Sequence, residues 1–319
     1  MHDHTRRAAH SFILTACVLS LALSLSGFSR PPSKPAQPSL PFEISVREIG
    51  VDPVLPGERP SAAPAESKST LSHFGRIEPP LGGRGGSGSN PVVTVYTDSI
   101  RFRSESPFPF VAALSRDTIR VSSEENKPAA QMGGIESDQE MLRCLFEGPS
   151  LAIRFSSEYP GALNIEHLKS DCPGGLYRRL NLPVTMGPFV FAIPDGHDGK
   201  ESGWQSIVVC PSFSGLGVFP QIRLKYAMKK KAATGEERTI EIQCDTTLTG
   251  VRATMPNGET VDIIADRIEV RGTLKPWPGL DRFYEGKIEI REEVRYVRPA
   301  LDLGVLEKKC RAVITLTPR

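Results

Sequence analysis

Several segments in the second half of the chain alternate between apolar and charged residues. In the clearest segment, 287–296, apolar residues occupy even positions and charged residues occupy odd positions. The apolar residues are Ile288, Ile290, Val294 and Tyr296, and the charged residues are Lys287, Glu289, Arg291, Glu293 and Arg295. A period of two residues is typical of a β-strand with one buried and one solvated face. Glu292 is the exception on the apolar side, and it predicts a bulge or a sheet edge.

The same alternation recurs over 222–229 and 240–244, and turn-forming residues separate the alternating runs. Pro256-Asn257-Gly258 is the best hairpin candidate, because Asn-Gly favours the tight turns that join antiparallel strands. Helical signals are few: a capping-box pattern predicts a short helix over 138–146, and 161–169 is a second possibility. The pattern predicts an all-β, antiparallel fold with little helix.

The first 90 residues have a different composition. Residues 1–29 contain Arg6 and Arg7 followed by the uncharged stretch 11–28, which predicts a signal peptide or, alternatively, an inner-membrane anchor. Residues 30–90 are rich in Pro and Gly, and predict a disordered tether, in which only the alternating piece 42–46 is a candidate for an isolated strand. We predict that residues 91–319 form the all-β domain, either as one unit or as two repeated halves at about 91–195 and 204–319. We therefore expect export to the periplasm or cell envelope.

Composition narrows the functional classes. The net charge of +2 is too small to indicate a nucleic-acid partner. Five cysteines lie outside the signal without a CxxC pair, so we expect no metal site or cofactor and mostly buried thiols. Export permits disulfides, and the sequence leaves their pairing open. The five cysteines are Cys144, Cys172, Cys210, Cys244 and Cys310.

No catalytic motif stands out. Pro211-Ser-Phe-Ser-Gly215 has two serines near a glycine, but it lacks the Gly-x-Ser-x-Gly elbow of serine hydrolases. Asp195-Gly-His-Asp-Gly199 does not have the ligand spacing of a calcium loop and reads better as a polar loop. We therefore predict no catalytic residues and no bound metal.

Two short patterns recur along the chain. Asp-x-Ile-x-Val or Phe occurs at 98–102, 117–121 and 266–270, and an aromatic-Glu-Gly precedes an alternating run at 146–153 and 284–290. We interpret the first as an Asp turn entering a strand and the second as a Gly turn before the next strand. With Ala265 before Asp266, these patterns resemble the organic-solvent-tolerance family of periplasmic β-folds, which includes the components that carry lipopolysaccharide between membranes.

The resemblance implies a stacked-sheet jelly roll, or folded-over β-stack, with an apolar cleft for acyl chains. The residues that it places in this groove are Val270, Ile268, Ile288 and Ile290. Lys229, Lys230 and Lys231 follow a strand and are candidates for a basic rim that meets anionic headgroups, although a solvated turn is the simpler interpretation. The implied partners are a lipid or glycolipid and other envelope transport proteins, joined by β-strand addition.

Three functions follow as hypotheses. The first is a lipid or lipopolysaccharide binding and transport protein without catalysis. The second is a structural or adhesive extracytoplasmic β-domain on a stalk, and the third is an exported hydrolase. An open apolar groove would favour the first, a filled interior the second, and a cleft with clustered His, Asp or Glu the third.

Overall fold

The computed structural model describes residues 39–53, 66–79, 91–105, 109–116, 119–123, 146–155, 163–166, 181–190, 203–216, 218–230, 238–255 and 258–319. All of them belong to one compact unit, Pro38–Arg319. The strands are β1 (Leu40–Val51), β2 (Glu66–Glu78), β3 (Val92–Ser104), β4 (Phe110–Ser115), β5 (Ile119–Ser123), β6 (Pro149–Phe155), β7 (Leu163–Glu166), β8 (Trp204–Val209), β9 (Gln221–Lys230), β10 (Arg238–Thr254), β11 (Thr260–Trp277), β12 (Leu280–Val297) and β13 (Val305–Pro318). One short helix, α1 (Leu182–Met186), continues into a 3-10 turn, Gly187–Phe189, and a second 3-10 turn spans Pro299–Leu301.

The thirteen strands form one antiparallel sheet. Eleven of them follow one path, in the order β5-β4-β3-β2-β1-β13-β12-β11-β10-β9-β8, and β6 and β7 branch from it at β3. Each strand on this path lies beside its neighbour in sequence, except that β1 pairs with β13, from Phe42 opposite Pro318 to Val51 opposite Lys309. The first and last described strands therefore meet in the middle of the sheet. The predicted all-β, antiparallel fold is confirmed.

The sheet folds over on itself. The β6–β7 hairpin leaves the main path at β3, because β6 pairs with Val92–Tyr96 while β4 pairs with the other end of β3. Phe155 in β6 then lies under the guanidinium of Arg282 in β12, with 5.6 Å from Cζ to the ring centroid. Three strands separate β3 from β12 within the sheet, roughly 19 Å at about 4.8 Å per strand spacing. This contact therefore requires the sheet to curl.

Inward-facing side chains of both halves fill the interior. One core joins buried side chains of β1 to β4 with those of β6 and of β8 to β13, and a smaller core is formed by Leu216 and by side chains at one end of β10 to β13. The predicted facing of β12 is confirmed: Ile288, Ile290, Val294 and Tyr296 are at most 5% exposed, whereas Lys287 and Arg291 are exposed. The predicted hairpin is also confirmed, because β10 and β11 are antiparallel neighbours with Thr254 opposite Thr260, although residues 256 and 257 lie outside the described residues.

The predicted tether over 30–90 is wrong for two stretches. β1 and β2 occupy the centre of the sheet, and Phe42 and Ile44 are fully buried. The domain therefore begins near residue 40 rather than at 91, and the two suggested halves belong to one sheet with β1 and β2 between them. Proline content misled the prediction, because the prolines other than Pro41 flank β1 and β2 while the strands themselves alternate. The predicted signal, 1–29, lies outside the described residues.

Two smaller interpretations also need correction. Two of the recurring Asp residues do not form turns, since Asp98 and Asp266 lie within β3 and β11 near irregularities in pairing, and Asp117 lies outside the described residues. The possible helix over 161–169 is instead β7 at its centre. The helix that does form, α1, was not predicted, and residues 138–145 lie outside the described ranges.

Candidate functional site

The four residues predicted to line an acyl-chain groove lie together on the inward face of β11 and β12. Val270 is directly opposite Ile290, and Gly272 is opposite Ile288. Ile268, Val270, Ile288 and Ile290 are at most 2% exposed and belong to the main core. The structure therefore brings the predicted residues together, but as interior packing rather than as the walls of an open groove.

The predicted basic rim is only partly described. Lys229 and Lys230 end β9, where they pair with Thr239 and Arg238 of β10. Lys231 lies outside the described residues. The backbone thus places the first two lysines at one end of a strand, next to the connection to β10.

A buried carboxylate interrupts the apolar face, and it belongs to Glu292. Its side chain is 2% exposed, and β12 pairs in register through this position, with Ile268 on one side and Cys310 on the other. Glu292 therefore marks neither a sheet edge nor a bulge, contrary to the prediction. The irregularities in this pair of strands lie at Ile264 and between Pro276 and Trp277 on β11 instead.

The segment 210–216 covers Glu292 and accounts for its burial. Ser212 Oγ donates to Glu292 Oε1 at 2.8 Å, and the backbone N–H groups of Phe213 and Ser214 donate to Oε2 at 2.8 and 3.1 Å. A buried carboxylate needs such partners, because an unpaired buried charge is strongly destabilising. The predicted serine segment and the misfit glutamate, noted separately in the sequence, are thus one structural unit.

This covering segment also joins the two cores. Phe213 packs in the main core, and Leu216 packs in the smaller one. The segment is further held by Cys310, whose thiol donates to the Phe213 carbonyl oxygen at 3.3 Å, and by Cys210 N–H, which donates to the Pro220 carbonyl oxygen at 2.7 Å. Glu292 therefore fixes the segment to the sheet at the boundary between the cores.

A second carboxylate lies one residue pair away on the same face. Asp266 is 2% exposed and opposite Val294, and its Oδ1 has no hydrogen-bond partner among the described residues. Burial, and then the nearby charge of Glu292, raise the pKa of Asp266 to about 7. Raised pKa values of this kind also occur at catalytic acids. Here, however, the group lies under packed side chains.

The three described cysteines are buried free thiols: Cys210, Cys244 and Cys310. Burial, followed by the charge of Glu292, raises the pKa of Cys310 to about 12, and burial likewise raises the pKa of Cys210 and Cys244. A protonated, buried thiol is a poor nucleophile, so these groups act as small apolar side chains. That expectation is confirmed for these three, whereas Cys144 and Cys172 lie outside the described residues.

The N-terminal half contains a different buried polar group, His73 in β2. It is fully buried, stacks on Phe42 with 5.7 Å between ring centroids, and neither ring nitrogen has a hydrogen-bond partner among the described residues. Burial lowers the pKa of His73 to about 3. The imidazole is therefore neutral at physiological pH, and it serves as a flat core side chain.

The outer face of the sheet carries rows of paired charges. Glu289 accepts from Arg291 at 2.8 Å and from Arg311 at 3.0 and 3.2 Å, and these contacts lower its pKa despite the opposing effect of burial. Arg271 donates to Glu269 at 3.1 Å and to Gln243 at 3.2 Å. A depression of about 500 Å³ lies beside these pairs, across β9 to β12.

The described residues offer limited chemistry for a cofactor. Within them, no cluster of three or more His, Cys, Asp or Glu side chains is placed to hold a metal ion. Across the same ranges, no helix has the length and apolarity needed to cross a membrane. The main polar site among the described residues is the Glu292 cluster, which consists of Glu292, Ser212, Phe213 and Ser214. Its three hydrogen bonds hold the segment 210–216 on the sheet.

No family model matches the chain, and the search of curated proteins found no match. The resemblance to periplasmic transport β-folds therefore remains a prediction from short motifs.

Proposed function

We propose that this chain is a structural or adhesive β-domain of the cell envelope that acts without catalysis. One observation carries the proposal: the residues predicted to hold acyl chains are themselves covered, at no more than 2% exposure, by the protein's own side chains. The depression of about 500 Å³ is lined mostly by polar and charged residues, and the depression of about 250 Å³ is lined by equal numbers of polar or charged residues and other residues. A filled interior supports a load-bearing or contact role rather than a storage role.

The exposed side of β8, the strand at one edge of the sheet, supports the adhesive part of this proposal. Ile207 and Val209 in β8 are 63% and 36% exposed, and Phe219, just before β9, is 41% exposed. Neighbouring apolar side chains that remain in water are typical of surfaces that contact other molecules.

A lipid or lipopolysaccharide carrier is the second candidate. It is favoured by the continuous apolar surface that Ile268, Val270, Ile288 and Ile290 form along two paired strands. Each methylene of an acyl chain buried there would contribute about 0.8 kcal/mol. The main core would, however, have to part to admit the chain, so this function requires a second conformation of the sheet.

Lipid content separates the two candidates. We expect an organic extract of the purified full chain, analysed by mass spectrometry, to contain lipid far below one molecule per protein. A fluorescent fatty-acid analogue should also show no saturable binding. Ile207→Ser is the matched control, since it removes lipid held only by exposed apolar side chains. Stoichiometric lipid that persists in Ile207→Ser would overturn the structural proposal and favour the carrier.

A further inference from the structure

One edge of the sheet differs from the others in its lack of charge. Three strands, β5, β7 and β8, have only one strand neighbour among the described residues. β5 contains Arg120, and β7 contains Glu166, which is ion-paired to Arg154 at 2.8 Å. β8, with the sequence WQSIVV, contains neither a charged residue nor a proline. Because charges and prolines are common means of preventing strand addition at an edge, β8 is the least protected of the three.

The outer side of β8 combines backbone groups with apolar side chains. Cys210, which follows β8, donates its backbone N–H to the Pro220 carbonyl oxygen, on the side of β9. Successive residues of a strand direct their N–H and C=O groups to opposite sides, so those of Gln205, Ile207 and Val209 point away from β9. The side chains of these three residues are also exposed, that of Ile207 at 63%. An added strand would therefore find donors, acceptors and apolar contacts in one place.

A second copy of β8 fits this edge. If two β8 strands pair antiparallel about Ile207, each Ile207 lies opposite its counterpart, and Gln205 lies opposite Val209. The outward-directed residues then form about six hydrogen bonds between the two copies. The facing of the strands is also preserved, because the exposed side chains meet on the outer face and the buried ones meet on the inner face. The core would thus continue past Val208, which at 9% exposure is among its least buried members.

Charge does not oppose this pairing. The exposed cations beside β8 are Arg223 and Lys225 on β9, which lie opposite Ile207 and Gln205. In the paired sheet, two β8 strands separate the Arg223 residues of the two copies, three strand spacings or roughly 14 Å. This distance exceeds the Debye length of about 8 Å at physiological ionic strength, so salt largely screens the repulsion. The edge is therefore electrostatically compatible with a copy of itself.

We propose that this chain forms a symmetric dimer in which β8 pairs antiparallel with β8 of a second copy, so that one sheet continues into the next. The inference rests on the adhesive part of the proposed function and identifies the partner as the chain itself. β8 has six residues, or roughly 20 Å of extended chain. A contact of this length buries less than the area of about 1,200 Å² at which standard interfaces begin. The dimer is therefore weak and forms at micromolar concentrations.

Sedimentation velocity of the full chain tests the proposal over about 5 to 500 μM, the range in which weak interfaces form. We expect monomer at the lower end and dimer at the upper end. Ile207→Lys places a charge at the centre of the edge and should raise the dissociation constant at least about tenfold. Thr249→Lys is the matched control, because it adds the same charge at an exposed position of β10, two strands from the edge. It should dimerise as the wild type does, and thermal melts should show that both variants fold.

Crosslinking tests the register of the two strands. The Cα atoms of a hydrogen-bonded antiparallel pair are about 5.5 Å apart, which is within the range that a disulfide can bridge. Ile207→Cys should therefore form a covalent dimer on oxidation with copper phenanthroline, to a much greater extent than Thr249→Cys or the wild type.

Three results would overturn the proposal. The first is a wild-type chain that stays monomeric over the whole concentration range, and the second is equal dimerisation by Ile207→Lys and Thr249→Lys. The third is a species larger than a dimer, since pairing of β8 with a different edge of the next copy leaves open ends that continue to assemble. Failure of the proposed structural function is a separate result, because it is measured by lipid content rather than by the dimer.

Discussion

Glu292 and His73 are buried polar residues on the two strands that flank the central strand pair. β12 and β2 flank β13 and β1, and both residues point into the apolar face. Glu292 has three hydrogen-bond donors from a covering segment, whereas His73 has no partner among the described residues. A carboxylate must be satisfied by the fold, but an imidazole can lose its charge at neutral pH and be buried at much lower cost.

Removal of the Glu292 carboxylate should have the largest effect. Glu292→Ala leaves two backbone N–H groups and the Ser212 hydroxyl without their acceptor, so we expect a loss of about 3 kcal/mol or more in urea unfolding. Glu292→Gln keeps one acceptor oxygen and should lose roughly half as much. The control Glu293→Ala, exposed on the outer face, should change stability by less than about 0.5 kcal/mol. Similar losses at 292 and 293 would contradict the assigned role of the covering segment.

His73 should make the protein less stable in acid. Its folded pKa of about 3 lies below the ordinary value of 6.5, so below pH 6.5 the unfolded chain binds a proton that the folded chain does not. This difference should reduce stability by about 2 kcal/mol between pH 7.5 and 5. His73→Phe should remove that contribution, as measured by urea unfolding at both pH values. An unchanged pH dependence would show that the imidazole gains a partner in the folded protein.

Asp266 should have the opposite pH dependence. Its folded pKa of about 7 exceeds the ordinary value of 3.8, so the folded chain holds a proton that the unfolded chain has released, and stability falls as pH rises between these values. The expected loss from pH 5 to 7.5 is also about 2 kcal/mol. In the wild type, the contributions of Asp266 and His73 therefore nearly cancel, and Asp266→Asn should reveal the slope due to His73. If the free energy of unfolding changed with pH in the same direction in His73→Phe and in Asp266→Asn, the two residues would not have opposite effects.

The charged outer face should be the least sensitive. Glu289→Gln breaks ion pairs with Arg291 and Arg311, but both arginine side chains are more than half exposed. We expect a loss of about 0.5–1 kcal/mol, most of which disappears in 1 M salt because solvent and ions screen the pairs. Thr315→Ser, on the neighbouring strand, serves as a neutral control. A loss of stability comparable to that of Glu292→Ala would show that the ion pairs of the outer face stabilise the sheet as strongly as the Glu292 cluster does.

Much of the strand content could be predicted from the sequence, and parts of the site could not. The facing of β9, β10 and β12 follows from alternation alone, because a period of two leaves one side to be buried. Glu292 was recognisable as an exception, and Pro211–Gly215 as a serine-containing segment. Their contact spans about 80 positions, and no local pattern predicts such a pairing.

The sequence alone thus determined the class of fold and the buried side of most strands, since these depend on local periodicity. Tertiary structure decided three further features: β1 lies beside β13, the core is filled, and the misfit carboxylate is bound by 212–214. The physical reason is that backbone pairing and burial are settled between segments distant in sequence. Because of the proline-rich flanks, the composition predicted a tether, in which 42–46 was only an isolated strand and β2 was missed. The pairing of β1 with β13 and of β2 with β3 shows that both strands form the centre of the sheet.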